Sequence, residues 1–119
     1  MRREKQIGLL WDILESARQI QRYLAGVTRE AFLADTQLQD AVLRRLEIIG
    51  EAASQLPPSA HELFPDQPFR GMRGMRNIIA HDYGVVDVDQ VWRTATTNVA
   101  PIAEKLHEYF RRLGHLTDG

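Results

Sequence analysis

The sequence contains no cysteine, which excludes disulfide staples and thiolate metal sites. Lysine is nearly absent too: Lys and Arg total 15, and only Lys5 and Lys105 are lysine. Net charge is −1, which argues against a protein that coats nucleic acid through bulk electrostatics. No apolar run approaches the ~20 residues of a membrane span, so no membrane association is expected. The basic start, Met1–Lys5, leads into an amphipathic segment and not a signal-peptide core, and a cytoplasmic location is the expectation. What is present is a 119-residue chain, 44% hydrophobic and 26% charged, enough for one soluble domain with a real core.

No segment reads as a strand, and every apolar pattern is helical. Ile7, Leu10, Trp11, Leu14, Ala17, Tyr23 and Leu24 largely follow three- and four-residue spacing, predicting an amphipathic helix over Arg3–Ala25 that Gly26 ends. Thr28 is a good N-cap for a short helix carrying Phe32 and Leu33. Asp35 or Thr36 caps a third, in which Leu38, Val42, Leu46, Ile49, Ala53 and Leu56 form a packing seam widened by Ile48 and Ala52. Pro57-Pro58 stops it. Ser59–Leu63 is expected to make one turn, and Pro65 and Pro68 punctuate the loop that follows. Asp87 with Gln90 resembles a capping box for a last helix to about Leu113, with Val91, Trp92, Ala95, Val99, Ile102, Leu106 and Phe110 inward and a kink at Pro101. The expected architecture is an all-α, up-and-down bundle of four main helices plus short ones, a single domain over 1–113 with a frayed tail at 114–119. Broad apolar faces on the first and third helices suggest a homodimer.

The chemistry concentrates in Gly71–Gly84, GMRGMRNIIAHDYG. Arg70, Arg73 and Arg76 recur every third residue, and no acid occurs between Asp66 and Asp82. Arginine presents planar, permanently charged donors that suit phosphate, and histidine is the side chain that titrates nearest neutrality. Together they suggest an anionic substrate and proton transfer. The run has helical character, with Gly84 at a C-cap position. On an ideal helix Arg76 and His81 stand about 140° apart, whereas Asn77 and His81 share a face. A second copy of the helix across a two-fold axis would close that gap, a further hint of a composite dimer site. On spacing alone the plainer account is the stronger one, with Arg76 solvated or salt-bridged and His81 capping a helix end.

The longer string changes that balance. Arg76-Asn77-Ile78-Ile79-Ala80-His81-Asp82-Tyr83 closely resembles the signature of the HepT-like toxins of the HEPN superfamily, known from HepT/MntA toxin–antitoxin systems: Arg, a polar residue, three variable positions, His, one variable position, Tyr. Ile48-Ile49-Gly50-Glu51-Ala52-Ala53 looks like the family's third-helix segment, Phe64-Pro65 through Met75 resembles its approach to the motif, and Val88–Trp92 is similar to the start of its last helix. Roughly Ile7 to Leu106 can be laid along the pattern. Pro68-Phe69 departs from the Pro-Trp of many relatives, a change bearing on packing more than on chemistry.

The resemblance implies a metal-independent endoribonuclease without cofactor, the toxin half of a toxin–antitoxin pair whose partner is a minimal nucleotidyltransferase. In that family the antitoxin transfers AMP to the motif tyrosine. Carried over by position, Arg76 and His81 become the catalytic pair, Asn77 the motif's polar position and Tyr83 the AMPylated residue. Arg70 and Arg73 are candidate RNA phosphate contacts. Glu51 either faces the site or is a solvated glutamate, and Arg44 and Arg45 either extend an RNA-binding surface or form a solvated face. No carboxylate–histidine cluster has zinc spacing. Trp11 and Trp92 are expected as core anchors, and His61, His107 and His115 as surface residues. The alternatives are a catalytically silent HEPN-type module that docks a nucleotidyltransferase or nucleic acid, and a structural helical dimer in which the motif is incidental.

Overall fold

Several helix starts and stops have a local cause in the sequence. A computed structural model of the chain describes residues 1–63, 72 and 87–114, the side chains of 61–63 excepted. Six helices lie within that span, and no strand is found among the described residues. Helix α1 (Arg3–Leu24) ends at Ala25, and Gly26 follows with φ of 74°, a left-handed turn that a Cβ would disfavour. Helix α2 (Arg29–Leu33) starts where the Thr28 hydroxyl accepts from the Ala31 N–H at 3.2 Å. Asp35, rather than Thr36, caps α3 (Thr36–Gln55), accepting from the Leu38 N–H at 3.0 Å. Leu56 leaves the helix with ψ of 138°, and Pro57-Pro58 bars its continuation. Pro58 nevertheless opens α4 (Pro58–Leu63) at the first helical position, where its missing N–H would have no partner anyway. The predicted single turn at Ser59–Leu63 is therefore one residue longer.

The last helix corrects the sequence reading. Instead of one kinked rod there are two helices, α5 (Val88–Thr97) and α6 (Val99–Arg112), divided at Asn98. Pro101 has no N–H to give the carbonyl of Thr97, four residues back, and α5 ends at that residue. Pro101 then occupies the first turn of α6, where helical N–H groups lack intrahelical acceptors, and its fixed φ costs nothing there. The Asp87 cap of α5 is as expected, with its carboxylate accepting from the Gln90 N–H at 3.1 Å.

The core lies between α1, α3 and α6, with α1 packed most extensively on α3 and next on α6. The seam residues Val42, Leu46, Ile49, Ala53 and Leu56 are buried, while Leu38 is half-buried at its start. From α1 come Leu10, Ile13, Leu14, Ala17 and Ile20, all fully buried. Val91, Ala95, Val99, Ile102, Leu106 and Phe110 close the core from α5 and α6, so the inward face runs through the break at Asn98. Trp11 and Trp92 are half-buried and packed against the core, as anchors should be. Trp11 meets Phe110 edge-on at 5.0 Å, and Trp92 meets Phe32 at 5.3 Å.

The apolar faces read as broad in the sequence are partly buried and partly half-buried, with Ile7, Trp11, Leu38 and Ile48 among the half-buried residues. Among the described residues the exposed large hydrophobics are Met1 and Leu33. No described helix is long and apolar enough to cross a membrane. The expected loop with Pro65 and Pro68, the basic helix with its Gly84 cap, and the tail from His115 lie outside the described residues.

Candidate functional site

Arg70, Arg73, Arg76, Asn77, His81 and Tyr83 all lie outside the described residues. Glu51 is the one candidate that the structure places. It sits exposed on α3, and its carbonyl accepts the Ser54 hydroxyl at 2.7 Å, a bond within the helix. Its neighbours Ile49, Ala52 and Ala53 take the core side. Glu51 is thus on the solvent side of α3, a position that both of its readings share. Arg44 is likewise exposed and pairs with Glu47 at 3.4 Å, while Arg45 is half-buried.

The elements that flank the candidate stretch are well defined. Met72, four positions before Arg76, belongs to the core cluster with 1% exposure. Asp87, four positions after Tyr83, caps α5. That helix is held on its outer side by α2. Arg29 donates from Nε and Nη2 to one oxygen of Asp89, at 3.0 and 2.8 Å, and Arg93 stands 3.6 Å from the other oxygen. One turn away, Phe32 packs against Trp92. The polar bridge is half-exposed and contributes little, whereas burial of Phe32 fixes α2 and α5 relative to each other.

Two polar clusters escaped the sequence reading. At the end of α6, Glu108 accepts from Arg111 and Arg112, which hold its carboxyl at about 2 against an ordinary 4.5, with the Arg111 hydrogen bonds the larger cause. Between α1 and α6, Arg18 donates to Nδ1 of His107 across 89 positions of sequence. His107 is half-buried there, not the surface residue expected. Its signal was present: Ala100, Ala103, Glu104 and His107 follow i, i+3, i+4, i+7 spacing and share one face. The partner on α1 could not be read from that spacing. Among the described residues no group of three or more His, Asp or Glu side chains could hold a metal ion.

Comparison with known proteins covers most of this core. The family model described as Ribonuclease HepT-like matches residues 13–109. The chain is 36% identical over 99 residues to a protein of Thermococcus cleftensis named probable ribonuclease HepT, covering 83% of this chain and 90% of the relative. Two proteins of Methanocaldococcus jannaschii that carry RNase names are similar as well. MJ1380 is 34% identical over 83% of this chain and 91% of its own, and MJ1216 is 33% identical over 87% and 86%. No solved structure matches the chain.

Proposed function

The chain belongs to the ribonuclease HepT-like family, and from that premise we propose that it is a metal-independent endoribonuclease, the toxin half of a toxin–antitoxin pair. The observation that carries the reading is the string Arg76–Tyr83, with arginine, histidine and tyrosine in the motif's register, inside a family match that spans 13–109.

The chemistry asks little of so small a fold. RNA supplies its own nucleophile, the 2′-hydroxyl. That oxygen attacks the adjacent phosphorus, the bond from phosphorus to the 5′-oxygen breaks, and a 2′,3′-cyclic phosphate and a 5′-hydroxyl result. One proton leaves the 2′-hydroxyl and one joins the 5′-oxygen, and His81 moves one of them. Arg76 faces the charge that develops on the phosphorane oxygens. Asn77 orients His81 or holds a phosphate oxygen, and Arg70 and Arg73 extend the cationic track. Because an ideal helix would set Arg76 and His81 about 140° apart, a second copy of the chain completes the site. This dimer rests on that offset and not on spare apolar surface.

Control is assigned to Tyr83. A minimal nucleotidyltransferase partner transfers AMP from ATP to its hydroxyl, the new phosphorus–oxygen bond replacing the bond to pyrophosphate, which leaves as the hydroxyl proton is lost. This places bulk and negative charge beside His81 and repels RNA. The pair works in the cytoplasm, and residues 1–113 of this chain form a single domain.

The test is a set of three variants. His81→Ala and Arg76→Ala should each abolish cleavage, a loss of ~10²–10⁴ in rate for a removed proton-transfer group, with the helical circular dichroism unchanged. Wild-type cleavage should persist in EDTA and leave a 2′,3′-cyclic phosphate. Tyr83→Phe should still cut RNA yet escape the co-expressed nucleotidyltransferase, while the wild type gains the mass of AMP on the peptide containing Tyr83. Wild-type-like cleavage by His81→Ala would refute the catalytic assignment. A protein that binds RNA or the nucleotidyltransferase and never cuts would be a docking module.

A further inference from the structure

The Arg18–His107 contact lies in a groove between α1 and α6 that the proposed chemistry leaves unused. Its lining is Arg18 and Gln21 from α1 with Ala100, Ala103, Glu104 and His107 from α6, and its volume is about 340 Å³. The two alanines keep it open, because longer side chains at those positions would narrow it. The polar groups are of several kinds. Arg18 can only donate, so His107 accepts at Nδ1 and carries its proton on Nε2. Glu15 stands 3.6 Å from the other terminal nitrogen of Arg18. The guanidinium is thus held from two sides, with 24% of its side chain still exposed, and a donor fork fixed in advance loses less on binding. Glu104 and Gln21 are exposed, the first an acceptor and the second both donor and acceptor.

We propose that this groove is a subsite for one unpaired base of an RNA substrate, with guanine preferred. The proposal rests on the nuclease reading for the source of that base. Proteins that read RNA sequence take unpaired bases, stack them on rings or guanidinium planes and bond their edges. Guanine presents two adjacent acceptors, O6 and N7, which suit an arginine fork. Its other edge presents two adjacent donors, which suit a carboxylate such as Glu104. Uracil and cytosine lack that division, and adenine lacks the carbonyl. The volume falls at the small end of ligand pockets, ~300–1,000 Å³, and the mixed polar lining suits a planar polar group better than an apolar side chain of a protein partner.

Titration of ¹⁵N-labelled protein with GMP, AMP, CMP and UMP, followed by amide chemical shifts, tests this without any cleavage. GMP should shift α1 and α6 amides near Arg18 and Glu104 saturably, at concentrations about tenfold below those needed for CMP. Ala100→Leu should crowd the recess and weaken the response to GMP. Glu104→Gln should abolish the preference for GMP while keeping weak binding, and it carries the test if Ala100→Leu does not give a wild-type spectrum. No saturable response to GMP, equal affinity for all four nucleotides, shifts confined to other helices, or a response only to a protein partner would each overturn the proposal. An inactive protein that binds GMP here would refute the nuclease reading and leave the subsite standing. An active nuclease with a blank titration would do the reverse.

Discussion

Replacing Phe32 by alanine separates the two links between α2 and α5. The ring is fully buried and is the one buried residue of a five-residue helix. A helix that short has no stability of its own in water, so its place depends on what it buries. Phe→Ala at a buried site costs about 3–5 kcal/mol, with lost transfer energy and the cavity both included. The contact with Trp92, at 5.3 Å and 42° between planes, accounts for about 0.5–1.5 kcal/mol of that. The Arg29–Asp89 bridge, with side chains 52% and 41% exposed, should yield only ~0.2–1 kcal/mol. Phe32→Ala should therefore lower the melting temperature by about 10–20 °C, and Arg29→Ala by no more than about 4 °C. Thermal unfolding at one fixed protein concentration, followed by circular dichroism, reads both, and holding the concentration constant keeps any association constant. Phe32→Leu retains most of the volume and should fall between them. Equal losses from Phe32→Ala and Arg29→Ala would refute the claim that burial, not the ion pair, holds α2 in place.

Pro101→Ala should change stability by less than about 1 kcal/mol, because Pro101 stands in the first turn of α6; a gain near 3 kcal/mol, as expected on relieving a proline inside a helix, would contradict the break at Asn98. Glu108 makes a pH-dependent contribution whose sign follows from its lowered pKa: the folded protein favours the carboxylate, so the stabilisation is present above 4.5 and lost as pH falls towards 2. Melting curves of the wild type and Glu108→Gln should accordingly converge across that window, and a Glu108 carboxyl that titrates in the ordinary range would refute the assignment.

The fold was legible where its causes are local. Thr28, Asp35 and Asp87 act within three residues of themselves, and Gly26 within one turn, so their helices begin or end as read. The break at Asn98 was missed because the apolar period runs through it: Val91, Ala95, Val99, Ile102, Leu106 and Phe110 all reach the core although two helices carry them. Pro58 was read as a stop alone, although the same ring suits a first helical position. Much of the apolar surface of α1 and α3 is buried because each covers the other. Arg18–His107 and Arg29–Asp89 join residues 89 and 60 positions apart, and only packing brings them together. The candidate site was legible solely through its resemblance, since the spacing of Arg76 and His81 argues against a shared face.

What the proposed chemistry requires of this scaffold is placement more than charge. With a net charge of −1 the molecule as a whole does not attract RNA, so affinity must come from local arginines and from bases bound individually. In the proposed reading Arg70, Arg73 and Arg76 would supply the first, within a stretch of sequence free of acids. A second contact on α1 and α6 would fix which base lies along the track, a role that phosphate contacts cannot fill because every nucleotide offers the same phosphate. Placement also needs firm ends, and the described helices provide them: Met72 is locked into the core on one side, and the capped α5, braced by Phe32, follows on the other. Stability and chemistry are thereby divided among different residues. Changes at Met72 or Phe32 should act on activity through folding, whereas changes at His81 or Arg76 should remove cleavage from a protein that melts like the wild type.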